Sequence, residues 1–297
     1  MEMQPGPEFL EVQALLERSQ PKPRVSWMGY GAGVFLLIVL ISAYITAKSP
    51  QLEQAVDLFS RMLLIGVMVG MALLMNWTVR RQRAEIRRVE ALEELVQLRR
   101  WAEGAGLAQD ILTQPARSPQ LRAQVLLLFG AILARYGKFE DAIAVYNHLL
   151  ETIRFDDLTA HGIRLGRAMA MLREDHLVDA DGAISELRRA TPDKQSAGLA
   201  LVELYRDVKT GHPNEAIEEF QRALPLFREQ LGHRTGDAYG LLAKAYDLLN
   251  RPADAQIAYE NSTLLTTSTE LLRRYPELAS LAAKYKPATT PSGLEAA

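Results

Sequence analysis

The apolar residues of this chain follow two different patterns. Two blocks near the N-terminus are apolar at almost every position: "VSWMGYGAGVFLLIVLISAYITA" (Val25–Ala47) and "LFSRMLLIGVMVGMALLMNWTV" (Leu58–Val79). The first carries no charge, and the second only Arg61, one turn in, where a long side chain can reach outward. Each is long enough to cross a hydrocarbon core of about 30 Å at roughly 1.5 Å per residue. Beyond Val79 the apolar positions recur three and four apart, which predicts helix after helix with little strand-like alternation.

Within the second region a block recurs. It reads "RRWAEGAGLAQDIL" (Arg99–Leu112), "GKFEDAIAVYNHLL" (Gly137–Leu150), "DHLVDADGAISELR" (Asp175–Arg188), "GHPNEAIEEFQRAL" (Gly211–Leu224) and "NRPADAQIAYENST" (Asn250–Thr263). A small residue holds an equivalent place in each, at Gly104, Ala142, Ala180, Ala216 and Ala255, in steps of 38, 38, 36 and 39. Four residues later come Ala108, Tyr146, Ile184, Phe220 and Tyr259. The small residue lets a second helix approach the first, and the larger one fills the gap to the next pair. Gly137, Gly211 and Asn250 suit a tight left-handed turn before that second helix. A lone hairpin cannot bury its apolar face, so such units must stack.

These blocks resemble tetratricopeptide repeats. Ala123–Asp156 is the best copy, with Gly130, Gly137, Phe139, Ala142 and Tyr146 at the family's positions. Gly236–Thr269 follows with Tyr239, Leu242, Ala243, Tyr246, Ala255 and Tyr259, and His161–Lys194 supplies Ala168, Ala180 and the terminal proline as Pro192. The first helices lack tryptophan, the copy near residue 84 is degenerate, and the third needs about two extra residues around "VKTGHP". The two apolar blocks and the resemblance together predict an all-α fold: an N-terminal transmembrane helical hairpin, then an α-solenoid of about five TPR-like helix pairs closed by a C-terminal capping helix at Thr267–Tyr285, interrupted by Pro276. The expected domains are residues 1–24, a cytoplasmic segment with an amphipathic helix; 25–79, the two spans; 80–285, the repeats; and 286–297, a disordered tail.

Charge orients the anchor. Arg18, Lys22 and Arg24 precede the first span, and Arg80, Arg81, Arg83, Arg87 and Arg88 follow the second, whereas the connector "KSPQLEQAVD" has one lysine and two acids. The positive-inside rule places both termini in the cytoplasm, with Trp27 and Trp77 as interface anchors. A signal-peptide reading of the first block fails on its length, its late start and the second span behind it. Gly29/Gly33 and Gly66/Gly70 are spaced for close helix packing in lipid, either between the two spans or in a homo-oligomer. The basic run Arg80–Arg88 serves as a topology signal or meets anionic headgroups. "PEFLEVQALLERS" (Pro7–Ser19) forms an amphipathic helix on the membrane, on a partner, or frayed in solvent.

Candidate chemistry is sparse. The net charge of -2 excludes a typical nucleic-acid binder, and the absence of cysteine excludes disulfides, thiolate metal sites and iron–sulfur clusters. The five histidines are scattered, the GYGAG run lies in an apolar block, and no P-loop, nucleophile elbow or supported acidic pair appears. Asp156/Asp157 and Glu218/Glu219 read as solvated faces. The expectation is therefore a non-enzyme without cofactor or metal. The resemblance implies instead a concave groove lined by the first helices, through Gln124, Leu127, Ala131 and Arg135, then Leu165, Met169 and Arg173, then Leu199, Glu203 and Arg206, then Gly240 and Lys244. Such a groove suits an apolar partner segment bearing acids. The implied function is a membrane-anchored scaffold or assembly factor for protein partners at a bacterial inner membrane; the alternative is a membrane-tethered regulatory subunit of a biosynthetic enzyme pathway.

Overall fold

The computed structural model describes residues 9–21, 33, 37, 41, 44, 53–116, 118–190 and 196–285. Among them all regular structure is helical: α1 (Val12–Arg18), α2 (Glu53–Gln97), α3 (Trp101–Leu112), α4 (Pro119–Arg135), α5 (Phe139–Thr152), α6 (Asp157–Arg173), α7 (Leu177–Ala190), α8 (Ala197–Lys209), α9 (Pro213–Gln230), α10 (Thr235–Leu248), α11 (Pro252–Leu265), α12 (Ser268–Arg274) and α13 (Ala279–Lys284), with 3₁₀ turns at Gly232–Arg234 and Pro276–Leu278. The chain divides into two compact units, Ala14–Val125 and Met1–Gln13 with Leu126–Ala297.

In the first unit the 45-residue α2 continues from the second apolar block through the basic run. Its C-terminal part packs on α3, burying Val89 and Leu92 beside Ala105, Ala108 and Leu112. Arg88 pairs with Asp110 across the same contact. Arg122 donates to Leu16 O at 2.8 Å and Ser19 Oγ at 3.0 Å, so the N-terminal helix is tied to its own chain. The N-terminal part of α2 differs. Met62, Ile65, Met68, Met71, Leu73, Leu74, Met75 and Trp77 are all at least half exposed, covering every side of the helix. A helix bathed in water buries one stripe; an apolar surface all round needs lipid or protein against it.

Among the described residues no helix is long and apolar enough to cross a membrane. The charge-free stretch with described side chains, Ile65–Val79, spans about 22 Å at 1.5 Å per residue. The first block falls outside the described residues except at Gly33, Leu37, Ile41 and Tyr44. The expected 1–24 helix, the 286–297 tail and Pro192 lie partly or wholly outside them as well.

The second unit is a stack of hairpins. α5 packs on α6, α7 on α6 and α8, α9 on α8 and α10, and α11 on α10, while α8 also touches both α6 and α10 in an inner row. Ala142, Ala180, Ala216 and Ala255 have no exposed surface. Tyr146 fills the gap to the next pair: a Cβ built on Gly130 of α4 would lie 2.8 Å from its ring, and one on Gly166 of α6 would lie 3.2 Å away. Burial pushes the Tyr146 phenol up to about 12.

The turns carry the repeat even more regularly than the side chains. Arg99, Gly137, Asp175, Gly211 and Asn250 have φ of 59°, 73°, 62°, 74° and 56°, and they are spaced by the same 38, 38, 36 and 39 residues. At each, the amide one residue on donates to the carbonyl five residues before it at 2.8–3.0 Å, and the left-handed residue itself bonds three back, a Schellman closure. No extra residues sit in "VKTGHP": that turn closes like the others, and the third pair differs in having a first helix of 13 residues against 17 in α6.

Candidate groove site

The inner row of first helices holds the chain's own C-terminal segment. The run Thr267–Tyr285, expected as a capping helix interrupted by Pro276 at the open end of the stack, folds as α12, a turn at Pro276 and α13, and it runs along four successive hairpins. Thr267 starts it, its Oγ1 accepting from Glu270 N at 3.4 Å. Pro276 then removes a helical amide and ends α12, so the segment bends to follow the groove.

Each first helix contributes a contact. From α4, Arg135 donates to both carboxylate oxygens of Glu270 at 2.8 and 2.9 Å, a bidentate pair. From α6, the Arg173 guanidinium lies 5.6 Å from the Tyr275 ring and equally far from Phe139. From α8, Tyr205 stacks edge-on against Tyr275 at 5.1 Å and donates to Glu277 Oε1 at 2.5 Å, while Lys209 Nζ reaches the same oxygen at 2.9 Å. From α10, Asp237 faces Arg274, and Gly240 gives space to two leucines. A Cβ there would stand 3.0 Å from Leu278 Cδ1 and 3.1 Å from Leu271 Cδ1. Leu271, Tyr275, Leu278 and Leu281 are fully buried.

The electrostatics are those of a dry channel. Burial raises the Tyr205 phenol, reinforced by the neighbouring Glu277 charge, and takes Tyr275 up to about 12. Burial works against the Lys209 ammonium, but its bonds to Asp175 and Glu277 outweigh that and hold its pKa above the ordinary value. Asp237 has no exposed side-chain surface, and burial raises its carboxyl despite Arg274, Arg234 and Arg173 nearby. Arg274 Nη2 lies 2.9 Å from Asp237 Oδ1 but off the hydrogen-bond direction, leaving both carboxylate oxygens without a hydrogen-bond partner.

The residues anticipated for this face separate into two groups. Arg135, Arg173 and Gly240 meet the C-terminal segment. Arg206 does not: it bonds Asp207 Oδ1 at 2.6 Å and lies 3.7 Å from Asp181, which turns it toward α7. Met169 is half-buried against the core, Lys244 lies 3.7 Å from Asp247, and Glu203 accepts from Arg188 at 2.5 Å. The positions on α8 that face the segment are Tyr205 and Lys209, adjacent to and three residues beyond the expected arginine. Their signal was available in the sequence, since a tyrosine and a lysine four apart share a helix face. Gly66 and Gly70 meet no described atom within 4 Å of a built Cβ, nor does Gly33; Gly29 lies outside the described residues. Of the two acidic pairs, Asp156, Asp157 and Glu218 are exposed as expected and Glu219 is not. Asp156 caps α6 by accepting from Thr159 N at 3.0 Å, and Glu219 is buried beside Arg222.

Among the described residues no group of three His, Asp or Glu side chains could hold a metal ion. Comparison with family models, curated proteins and solved structures finds no match.

Proposed function

We propose that the protein is a membrane-anchored scaffold or assembly factor of the tetratricopeptide type, holding protein partners at the cytoplasmic face of a bacterial inner membrane. The observation that carries this reading is the row of four first helices that together grip one polypeptide segment through cations, rings and a glycine gap. A surface built to hold such a segment is a binding surface. The anchor is supported by the all-round apolar exposure of α2 and by the arginine cluster directly after it.

The test has two arms. Alkaline carbonate should leave the full chain in the membrane pellet, and a cysteine introduced at Ser49 should label from outside while a reporter after Ala297 is active only as a cytoplasmic type. A photo-crosslinking residue at Lys244 should then yield an adduct with a second protein in intact membranes, and one at Glu218, on the exposed face of α9, should not. Release by carbonate would remove the anchor, and adducts from Glu218 alone would remove the groove.

A further inference from the structure

We infer that the C-terminal segment Ser268–Tyr285 is a displaceable plug, and that the partner segment it excludes carries the same chemistry: acid, leucine, three residues, aromatic ring, one residue, acid, leucine. This rests on the groove reading above and specifies the ligand. The pattern is that of Glu270, Leu271, Tyr275, Glu277 and Leu278, each of which meets a first helix, the two leucines sharing Gly240 and Tyr205 serving both Tyr275 and Glu277.

Two observations make the plug a removable ligand rather than a permanent part of the core. The first is its fit. Tyr275 has no exposed surface, yet its hydroxyl has no hydrogen-bond partner, and the same holds for Glu277 Oε2 and for Arg173 Nε opposite. An unpaired buried polar group costs free energy, so each orphan weakens the plug relative to a segment that can complete the bonds. The second is its size. Helices of 7 and 6 residues are too short to persist alone in water, so they are helical only while docked and leave by local unfolding. Tethering nonetheless gives the plug a high effective concentration. A free partner therefore sees an affinity reduced by the small fraction of open grooves until the plug is loosened.

The experiment uses the full chain in detergent and a fluorescent synthetic peptide with the sequence of Thr267–Tyr285. Wild type should bind it weakly. Tyr275→Ala with Glu277→Ala in the chain loosens the plug and should tighten peptide binding at least tenfold. Adding Arg135→Glu should abolish the gain, and a peptide carrying Glu270→Arg should restore it. The cysteine-free background allows the opposite perturbation. Arg135→Cys and Glu270→Cys, joined by a short bifunctional maleimide, should leave a folded chain that no longer takes the peptide. Equal peptide binding by wild type, loosened and locked chains would overturn the inference, as would binding indifferent to the charge at position 135. If the loosened variant loses its helical signal, the locked chain decides alone: undiminished peptide binding there sinks the plug. Peptide capture without any membrane partner would instead remove the scaffold function and leave the plug standing.

Discussion

The interlock between hairpins makes a sharp prediction at Gly130. Replacing it with alanine places a Cβ 2.8 Å from Tyr146 Cε1 and 3.1 Å from Cζ, closer than carbon atoms rest. The ring has little room to retreat, because the side chain is 5% exposed and is held between the backbones of α4 and α6 at Gly130 and Gly166. Such overpacking costs about 1–3 kcal/mol. Alanine also relieves the glycine penalty in a helix interior, worth about 1 kcal/mol. Gly130→Ala should therefore destabilise by about 0–2 kcal/mol net. Gly182→Ala supplies the control: it sits inside α7, is exposed, and its Cβ would meet nothing within 4 Å. It should gain about 1 kcal/mol from propensity alone. The two variants make the same chemical change in the same unit, so their separation of about 1–3 kcal/mol isolates the contact. At about 2–4 °C per kcal/mol this is readable by circular dichroism during thermal unfolding of the full chain in detergent. Truncating the ring, as Gly130→Ala with Tyr146→Leu, should cost less than the two single changes added. Equal stabilisation by both glycine substitutions would mean that Tyr146 does not bridge α4 and α6.

Three further outcomes are expected. Ala142→Leu or Ala255→Leu, at sites with no exposed surface, should cost about 1–3 kcal/mol, and an unchanged melting curve for both would remove the register. At the left-handed turns, Asn250→Gly should stabilise and Gly137→Ala destabilise, each by about 1 kcal/mol; the same sign for both would refute the turn geometry. For Asp237 the sign runs toward acid: its carboxyl is raised above 3.8 in the fold, so its contribution is present below 3.8 and is lost as pH rises through the folded pKa. Asp237→Asn should thus gain on wild type between acid and neutral pH in paired melts, whereas a growing deficit would show that the pair with Arg274 dominates.

Most of the hairpin stack was legible because its determinants are local. A small residue and a large one four apart lie on one helix face, so the second helices announced themselves through Ala142 with Tyr146 and Ala216 with Phe220. The turns were legible only where glycine or asparagine stands. Arg99 and Asp175 adopt the same left-handed backbone, held by Schellman bonds that involve only main-chain atoms and therefore leave no residue-type signature. The third pair misled for a related reason. The two-residue shortfall looked like a change in the turn, yet the turn is unchanged: counted back from it, Lys209 stands where Arg135 and Arg173 stand, two residues before the left-handed position, and Arg206 lies three residues earlier.

The occupant of the groove was the least legible element, and the cause is physical. Arg135 and Glu270 are 135 residues apart, so no periodicity links them, and either residue alone reads as a solvated charge. The apolar side chains of "TELLRRYPELASL" do carry helical spacing, but that spacing fits a cap on the outermost helix as well as a strip along the inner ones. What separates the two placements is complementarity: Gly240 opposite two leucines, Tyr205 and Arg173 flanking one ring, and Lys209 with Tyr205 converging on one carboxylate oxygen. These receptors are spread over three first helices, Arg173 on α6, Tyr205 and Lys209 on α8 and Gly240 on α10, so the match exists only once the hairpins are stacked. It follows that the groove and its plug are one cooperative feature. A substitution that separates the hairpins, such as Ala142→Leu, should loosen the plug as well as lower the melting temperature, whereas Asn250→Gly, which changes only an exposed side chain at the turn after α10, should leave the plug in place.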